Sequence, residues 1–355
     1  MFGSWRLLLA LEVVVFHILF VNLIGMYAVF AFFALSGFLM TAIMQRTYGY
    51  SAGGAGRFAI NRAVRLYPGN AFALVVAATV LLFCGSEVDA GIPNSVAMPG
   101  DGWAWLRNIT MIYPALLPSQ MQPKLVPPSW ALTVEMFYYA LIAIGISRTP
   151  RHTWLWLAGG LAYFTWAFAA DAGELWGYSA IPAGSVPFSL GALAWHYRER
   201  LVAKAQVGRR IVGLVGLRYG VWFVAVLLFS QVTMDWRMVA LGNLINAGIA
   251  ALLAAQLFTL QSGRTDRLLG DFSYPVYLLH FSAWLVAGTL LFGQATGGPT
   301  ALGIANLLAT LPVLAIFCAV LVFAIDRPFE GLRTRIRQRA ADRLAGGAPI
   351  EARVP

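Results

Sequence analysis

Charged side chains are few: Asp, Glu, Lys and Arg make up 11% of 355 residues, while 59% are hydrophobic. An average soluble domain carries about 25% charged residues. So apolar a chain cannot be covered as a water-soluble globule, which excludes the soluble classes. Cysteine is almost missing. The two present, Cys84 and Cys318, fall at or inside apolar runs and read as buried free thiols, leaving no disulfide framework. There is no fixed-period repeat, heptad run or low-complexity tract, so the internal repeats that mark many transporters are absent from view. The net charge of +10 does not point to nucleic acid, because the basic residues sit in connectors and are not interleaved with aromatics on one face. No metal site is expected.

What is present is one apolar run after another. Ten candidate spans are read at 6–23, 27–44, 68–84, 130–147, 153–170, 178–195, 219–234, 238–260, 273–292 and 301–325, near the length a helix needs to cross roughly 30 Å of hydrocarbon. The expected fold is all-α: a polytopic membrane protein with the lipid bilayer as its solvent. The first run, residues 7–20, holds Glu12 and His17 and no small-residue cleavage site, so it reads as a retained helix. Alternate connectors gather the arginines: Arg46, Arg57, Arg62 and Arg65, then Arg148 and Arg151, then Arg198, Arg200, Lys204, Arg209, Arg210 and Arg218, then Arg264 and Arg267. The opposite connectors hold only Arg107, Lys124 and Arg237, beside Glu87, Asp89, Asp101, Asp171, Glu174 and Asp235. By the positive-inside rule the arginine-rich side and both termini are cytoplasmic. Residues 1–326 form the membrane domain. Residues 327–355 form a basic cytoplasmic tail, too short for a second catalytic domain. The long outer connector, 85–129, is rich in Pro and Gly and reads as a lid or a surface loop.

Ionisable groups inside apolar spans are costly and mark candidate sites; here they are Glu12, His17, Glu135 and His280. Each can equally be a hydrogen-bonded helix clamp. Arg6 and His17 are eleven residues apart, about three turns plus 20°, so they share one helix face with His17 roughly 16 Å deeper. Glu12 stands about 140° away from His17 around that helix and ranks below it. Glu135 lies at a depth similar to His17, where a carboxylate could orient an imidazole acting as general base. Arg62 and Arg65, three apart at the cytoplasmic boundary, suit phosphate binding or serve as plain topogenic charge.

With these residues noted, the chain resembles the acyltransferase family 3 group of bacterial membrane O-acyltransferases over nearly its whole length. Six elements carry the resemblance in family order. Arg6 is followed after ten residues by His17; next comes Phe32-Phe33-Ala34-Leu35-Ser36-Gly37-Phe38, then Arg62-Ala63-Val64-Arg65-Leu66-Tyr67-Pro68. Ser129-Trp130-Ala131-Leu132-Thr133-Val134-Glu135-Met136-Phe137-Tyr138-Tyr139 follows, then Ser273-Tyr274-Pro275-Val276-Tyr277-Leu278-Leu279-His280, and the acidic-Arg-Pro ending at Asp326-Arg327-Pro328. Two departures stand out: Glu12 beside the site, and Trp130-Ala131 where Trp-Ser or Trp-Thr is usual.

The resemblance implies a protein of the bacterial inner membrane. It would transfer an acyl group, acetyl above all, from cytoplasmic acyl-CoA to a hydroxyl of a sugar-containing acceptor such as an exopolysaccharide or a lipid-linked glycan. No permanently bound cofactor is expected; acyl-CoA is a co-substrate. His17 is then the catalytic base with Glu135 orienting it, Arg6, Arg62 and Arg65 hold the donor's phosphates, and Ser36, Trp130, Tyr138, Tyr139, Tyr277 and His280 contact substrate. An acyl-histidine relay is the alternative chemistry, and a glycan or small-molecule transporter is the competing class. Oligomeric state, acceptor identity and chain length stay open.

Overall fold

The computed structural model describes residues 1–21, 23–84, 96–202, 207–231 and 235–344, which form fourteen α-helices and, among the described residues, no strand. Glu87, Asp89, Lys204 and the end of the tail lie outside the described residues. In chain order the helices are α1 (Phe2–Leu19), α2 (Ile24–Ile43), α3 (Ala52–Cys84), α4 (Gly102–Thr110), α5 (Trp130–Ile144), α6 (Pro150–Ala169) and α7 (Glu174–Tyr178). They continue with α8 (Ser185–His196), α9 (Arg198–Leu201), α10 (Val207–Gln231), α11 (Trp236–Leu257), α12 (Arg264–Phe292), α13 (Ala301–Val320) and α14 (Arg327–Leu344).

Each of the ten apolar runs falls on a helix. Seven are long and apolar enough to cross a membrane: α1, α2, α3, α10, α11, α12 and α13. The runs at α5 and α8 give helices of only 15 and 12 residues. They are shortened at opposite ends: α5 starts where its run does and stops at Gly145, whose φ of 108° ends the helix, whereas α8 starts late because Pro182 sets 3-10 geometry at Ile181–Gly184. Helix starts are marked by side-chain caps where the backbone N–H groups would otherwise be orphaned: Asp101 on α4, Thr149 on α6, Asp235 on α11 and Thr300 on α13.

α2 is the central helix, with 78% of its apolar window buried by other helices, whereas α10 has 11% and is peripheral. Since hydrocarbon is as apolar as a leucine side chain, close backbone approach has to replace the hydrophobic effect between helices. Gly37 and Gly191 provide it. A Cβ on Gly37 would stand 2.0 Å from the Phe188 carbonyl oxygen, and one on Gly191 1.8 Å from that of Ala34, so α2 and α8 touch backbone to backbone. α1 runs along α12 in the same manner: a Cβ on Gly3 would lie 1.7 Å from the Asp266 carbonyl oxygen.

One sequence expectation changes, and a second gains detail. Arg218 is not a connector charge; it lies within α10 and is buried, because α10 begins twelve residues before the span read at 219. Part of the segment read as a tail is folded: α14 packs on α3 and on the π-helical turn Met44–Tyr48, and Asn61 Nδ2 donates to the Arg333 carbonyl at 3.0 Å.

Candidate active site

α1, α2, α3, α5, α12 and α14 surround a cavity of about 180 Å³. Four guanidinium groups face it, from Arg6, Arg62, Arg65 and Arg333, and Glu135 is the one carboxylate among its described lining residues. Arg65 pairs with Asp326 (Nη1 to Oδ2, 2.8 Å) and lies over the Tyr274 ring. Arg6 and Arg62 make no ion pair among the described residues. Ser36 Oγ and Tyr139 Oη both donate to Glu135 Oε1, so Glu135 belongs to this cavity. An outer vestibule of about 520 Å³ adjoins it and shares Arg6, Leu39, Arg65 and Arg333.

His17 does not line that cavity. It faces a second one, of about 490 Å³, walled by Trp130, Tyr178 and Phe16 and by Ser119, Gln120 and Glu174 from the segments preceding α5 and α8. The two cavities have Val29 and Tyr277 in common. Tyr277 is fixed at that boundary, its Oη donating to the Pro128 carbonyl at 2.9 Å. The polar partner of His17 is His280: Nε2 of His280 and Nδ1 of His17 are 3.1 Å apart, with the rings nearly parallel at 21°. His280 Nδ1 lies 3.2 Å from the Val276 carbonyl. A carbonyl can only accept, so that nitrogen carries the proton; in the neutral ring Nε2 is then an acceptor. His17 Nδ1 therefore donates, and His17 Nε2 keeps a free lone pair.

Glu135 thus bonds Ser36 and Tyr139, and His17 bonds His280, where the sequence suggested the two to each other. Matching depth on two helices does not fix azimuth, and Glu135 turns toward α2 and the arginines while His17 turns toward α12. Tyr138, expected to contact substrate, lines neither cavity. It stacks on Trp156 of α6 and Phe188 of α8 and donates to the Ile181 carbonyl at 2.8 Å. Arg6, Arg62, Arg65, Ser36, Tyr139 and Tyr277 do meet in one place, and Trp130 joins His17 and Tyr277 in the other.

Glu12 is a helix clamp. Arg218 grips both carboxylate oxygens, with Nη1 to Oε1 at 2.7 Å, and Tyr219 Oη donates to Oε1 at 2.6 Å. Arg218 Nε donates to Asn246 Oδ1 at 2.9 Å, and Asn246 in turn donates to the Tyr27 carbonyl. One polar network thereby joins α1, α2, α10 and α11, and supplies the hydrogen bonds a buried ion pair needs.

Sequence reasoning missed the His17–His280 pair, Arg333, Glu174, Tyr178 and Lys124. Lys124 is fully buried among backbone carbonyls: Nζ donates to those of Ser119, at 2.8 Å, and Met121 and sits over the Tyr113 ring. It thereby holds the connector before α5 together beside the His17 cavity, which Ser119 lines. Only the two histidines carried a signal, as ionisable groups in apolar spans.

A helical bundle with ionisable groups on internal cavities and apolar spans around them is a multi-pass membrane protein. Residues 3–326 match the family model described as an acyltransferase domain, and the chain belongs to that family, acyltransferase family 3. It is an acyltransferase, as the six motifs implied. No curated protein and no solved structure matches the chain.

Proposed function

We propose that this protein spans a bacterial inner membrane ten times, with both termini cytoplasmic, and transfers an acyl group from cytoplasmic acyl-CoA to a hydroxyl of a sugar-containing acceptor. Supporting the topology, the basic connectors converge on one face. Arg46 lies 4.5 Å from the Trp195 ring centre, Gln45 bonds the Arg148 carbonyl, and the N-terminal amine pairs with Asp266 at 2.6 Å. α5, α6 and α8 supply the three crossings beyond the seven long helices.

The observation that carries the reading is the pair of cavities meeting at Val29 and Tyr277, one arginine-lined and one holding His17. The arginine cavity suits the phosphates of acyl-CoA, with the acyl arm directed toward Tyr277. The aromatic cavity suits a sugar, which offers apolar ring faces to Trp130 and Tyr178 and hydroxyls to Glu174, Gln120 and Ser119. The acceptor hydroxyl gives its proton to His17 Nε2 as its oxygen bonds the thioester carbonyl carbon. The carbon–sulfur bond then breaks, and the thiolate leaves with the proton returned from His17. His280 accepts from His17 Nδ1 throughout and fixes the tautomer that leaves Nε2 basic, which is the part first assigned to Glu135. Glu135 instead balances Arg6 and holds Ser36 and Tyr139.

The test compares surface glycans and glycolipids by mass spectrometry with and without the gene. An acyl mass that disappears with the gene, and returns with wild-type but not His17→Ala protein, supports the reading. Unchanged glycans, with no acyl transfer from labelled acetyl-CoA in inverted vesicles, overturn it.

A further inference from the structure

The arginine cavity includes a side chain from beyond the family-matched residues. α14 starts at residue 327 and the match ends at 326, yet Arg333 lines both the cavity and its vestibule. The position is built rather than incidental: Asn61 of α3 bonds the Arg333 carbonyl, and Glu330 holds one guanidinium nitrogen. Arg62 Nη2 donates to Asn61 Oδ1 at 2.9 Å, but not every donor is satisfied. Arg333 Nε and Arg62 Nε are both buried without a hydrogen-bond partner. Four guanidinium groups around 180 Å³ repel one another; against them the lining sets one carboxylate, Glu135, while Asp326 and Glu330 of the adjoining vestibule each engage only one of them. Unpartnered N–H donors and an excess of guanidinium over carboxylate in one cavity define a site for a group with several anionic oxygens.

We infer that α14, through Arg333, completes the phosphate site for the donor, so that the segment after residue 326 takes part in donor recognition. This rests on acyl-CoA being the donor. Coenzyme A carries a diphosphate and a separate ribose phosphate, more anionic oxygens than Arg62 and Arg65 can pair, and a third and fourth arginine match that surplus. The bidentate fork suits phosphate better than an ammonium does.

Equilibrium binding to full-length protein in zwitterionic nanodiscs tests this, with no anionic lipid headgroup competing for the site. Coenzyme A and pantetheine, which lacks all phosphates, are the two probes. Wild-type protein is expected to bind coenzyme A more tightly than pantetheine. Arg333→Gln should weaken coenzyme A about tenfold or more and leave pantetheine unchanged, with Arg333→Lys recovering part of the loss. Arg335→Gln, at an exposed position of the same helix, should bind coenzyme A as wild type does. Wild-type affinity for coenzyme A in Arg333→Gln overturns the inference, and so does an equal loss for both probes, which would report damaged packing. A wild-type protein that does not distinguish the two probes would instead remove the phosphate reading itself, whatever Arg333 does.

Discussion

His280 Nε2 lies 3.1 Å from His17 Nδ1, across the seam where α1 runs along α12. The Val276 carbonyl behind His280 sets the direction of the whole chain of hydrogen bonds, ending in a free lone pair on His17 Nε2. A backbone carbonyl is thereby coupled through two rings to the reacting atom.

His17→Ala should lower acyl transfer by about 10² to 10⁴-fold, the range a general base contributes. The protein should remain membrane-inserted and monodisperse and should bind coenzyme A as before, since His17 lies outside the arginine cavity. Near wild-type transfer by the purified variant would place the chemistry elsewhere.

His280→Phe keeps an aromatic ring but removes the acceptor. Turnover should fall by about tenfold to a hundredfold, on the scale of losing a partner that orients a reacting group, with the KM for acyl-CoA unchanged. If KM rises and kcat holds, His280 acts on the donor and not through His17.

Glu135→Gln removes the cavity's one lining carboxylate while keeping an oxygen for Ser36 and Tyr139. With less negative charge among the arginines, coenzyme A should bind more tightly, by roughly 1 kcal/mol or about fivefold. Titration calorimetry reads this directly. Unaltered affinity together with lost turnover would return Glu135 to the side of His17.

The Glu12–Arg218 pair is 4% and 3% exposed, so removing one partner leaves a buried unpaired charge. Glu12→Gln should destabilise the protein by about 3–5 kcal/mol, seen as a lower melting temperature in detergent. Pairing Glu12→Leu with Arg218→Met should recover most of it. Activity per folded molecule should be unchanged; a large loss in well-folded protein would argue for a role beyond clamping.

Burial, with repulsion from Arg107 adding to it, pulls the Lys124 amine down to about 8 from its usual 10.5. Below about 8 the folded and unfolded states are both charged and the burial penalty is fully present. Between about 8 and 10.5 the folded protein releases the proton while the unfolded chain keeps it, so stability rises with pH. Relative to Lys124→Met, the wild type should therefore gain stability from pH 7.5 to 9.5, at no more than about 1.4 kcal/mol per unit. A constant difference across that range would show that the amine does not titrate there.

The sequence by itself determined the apolar helical runs, their membrane setting and the family. Those rest on properties local to the chain: run length against bilayer thickness, and motifs such as Leu35-Ser36-Gly37-Phe38, whose glycine proves to be where α2 meets the Phe188 backbone. It also determined that His17, Glu135 and the arginines sit at special positions, since an ionisable group in an apolar run is visible without any fold. Tertiary structure alone decided their partners. Depth along a helix follows from counting residues at a fixed rise, but which side chains meet depends on how each helix is rotated and on which neighbour it packs against. That rotation set His17 against His280 rather than Glu135, turned Tyr138 into the packing of α6 and α8, and buried Arg218 on Glu12. It likewise brought Arg333 back over α3, because α14 folds onto a surface whose nearest residues lie more than two hundred positions earlier in the chain.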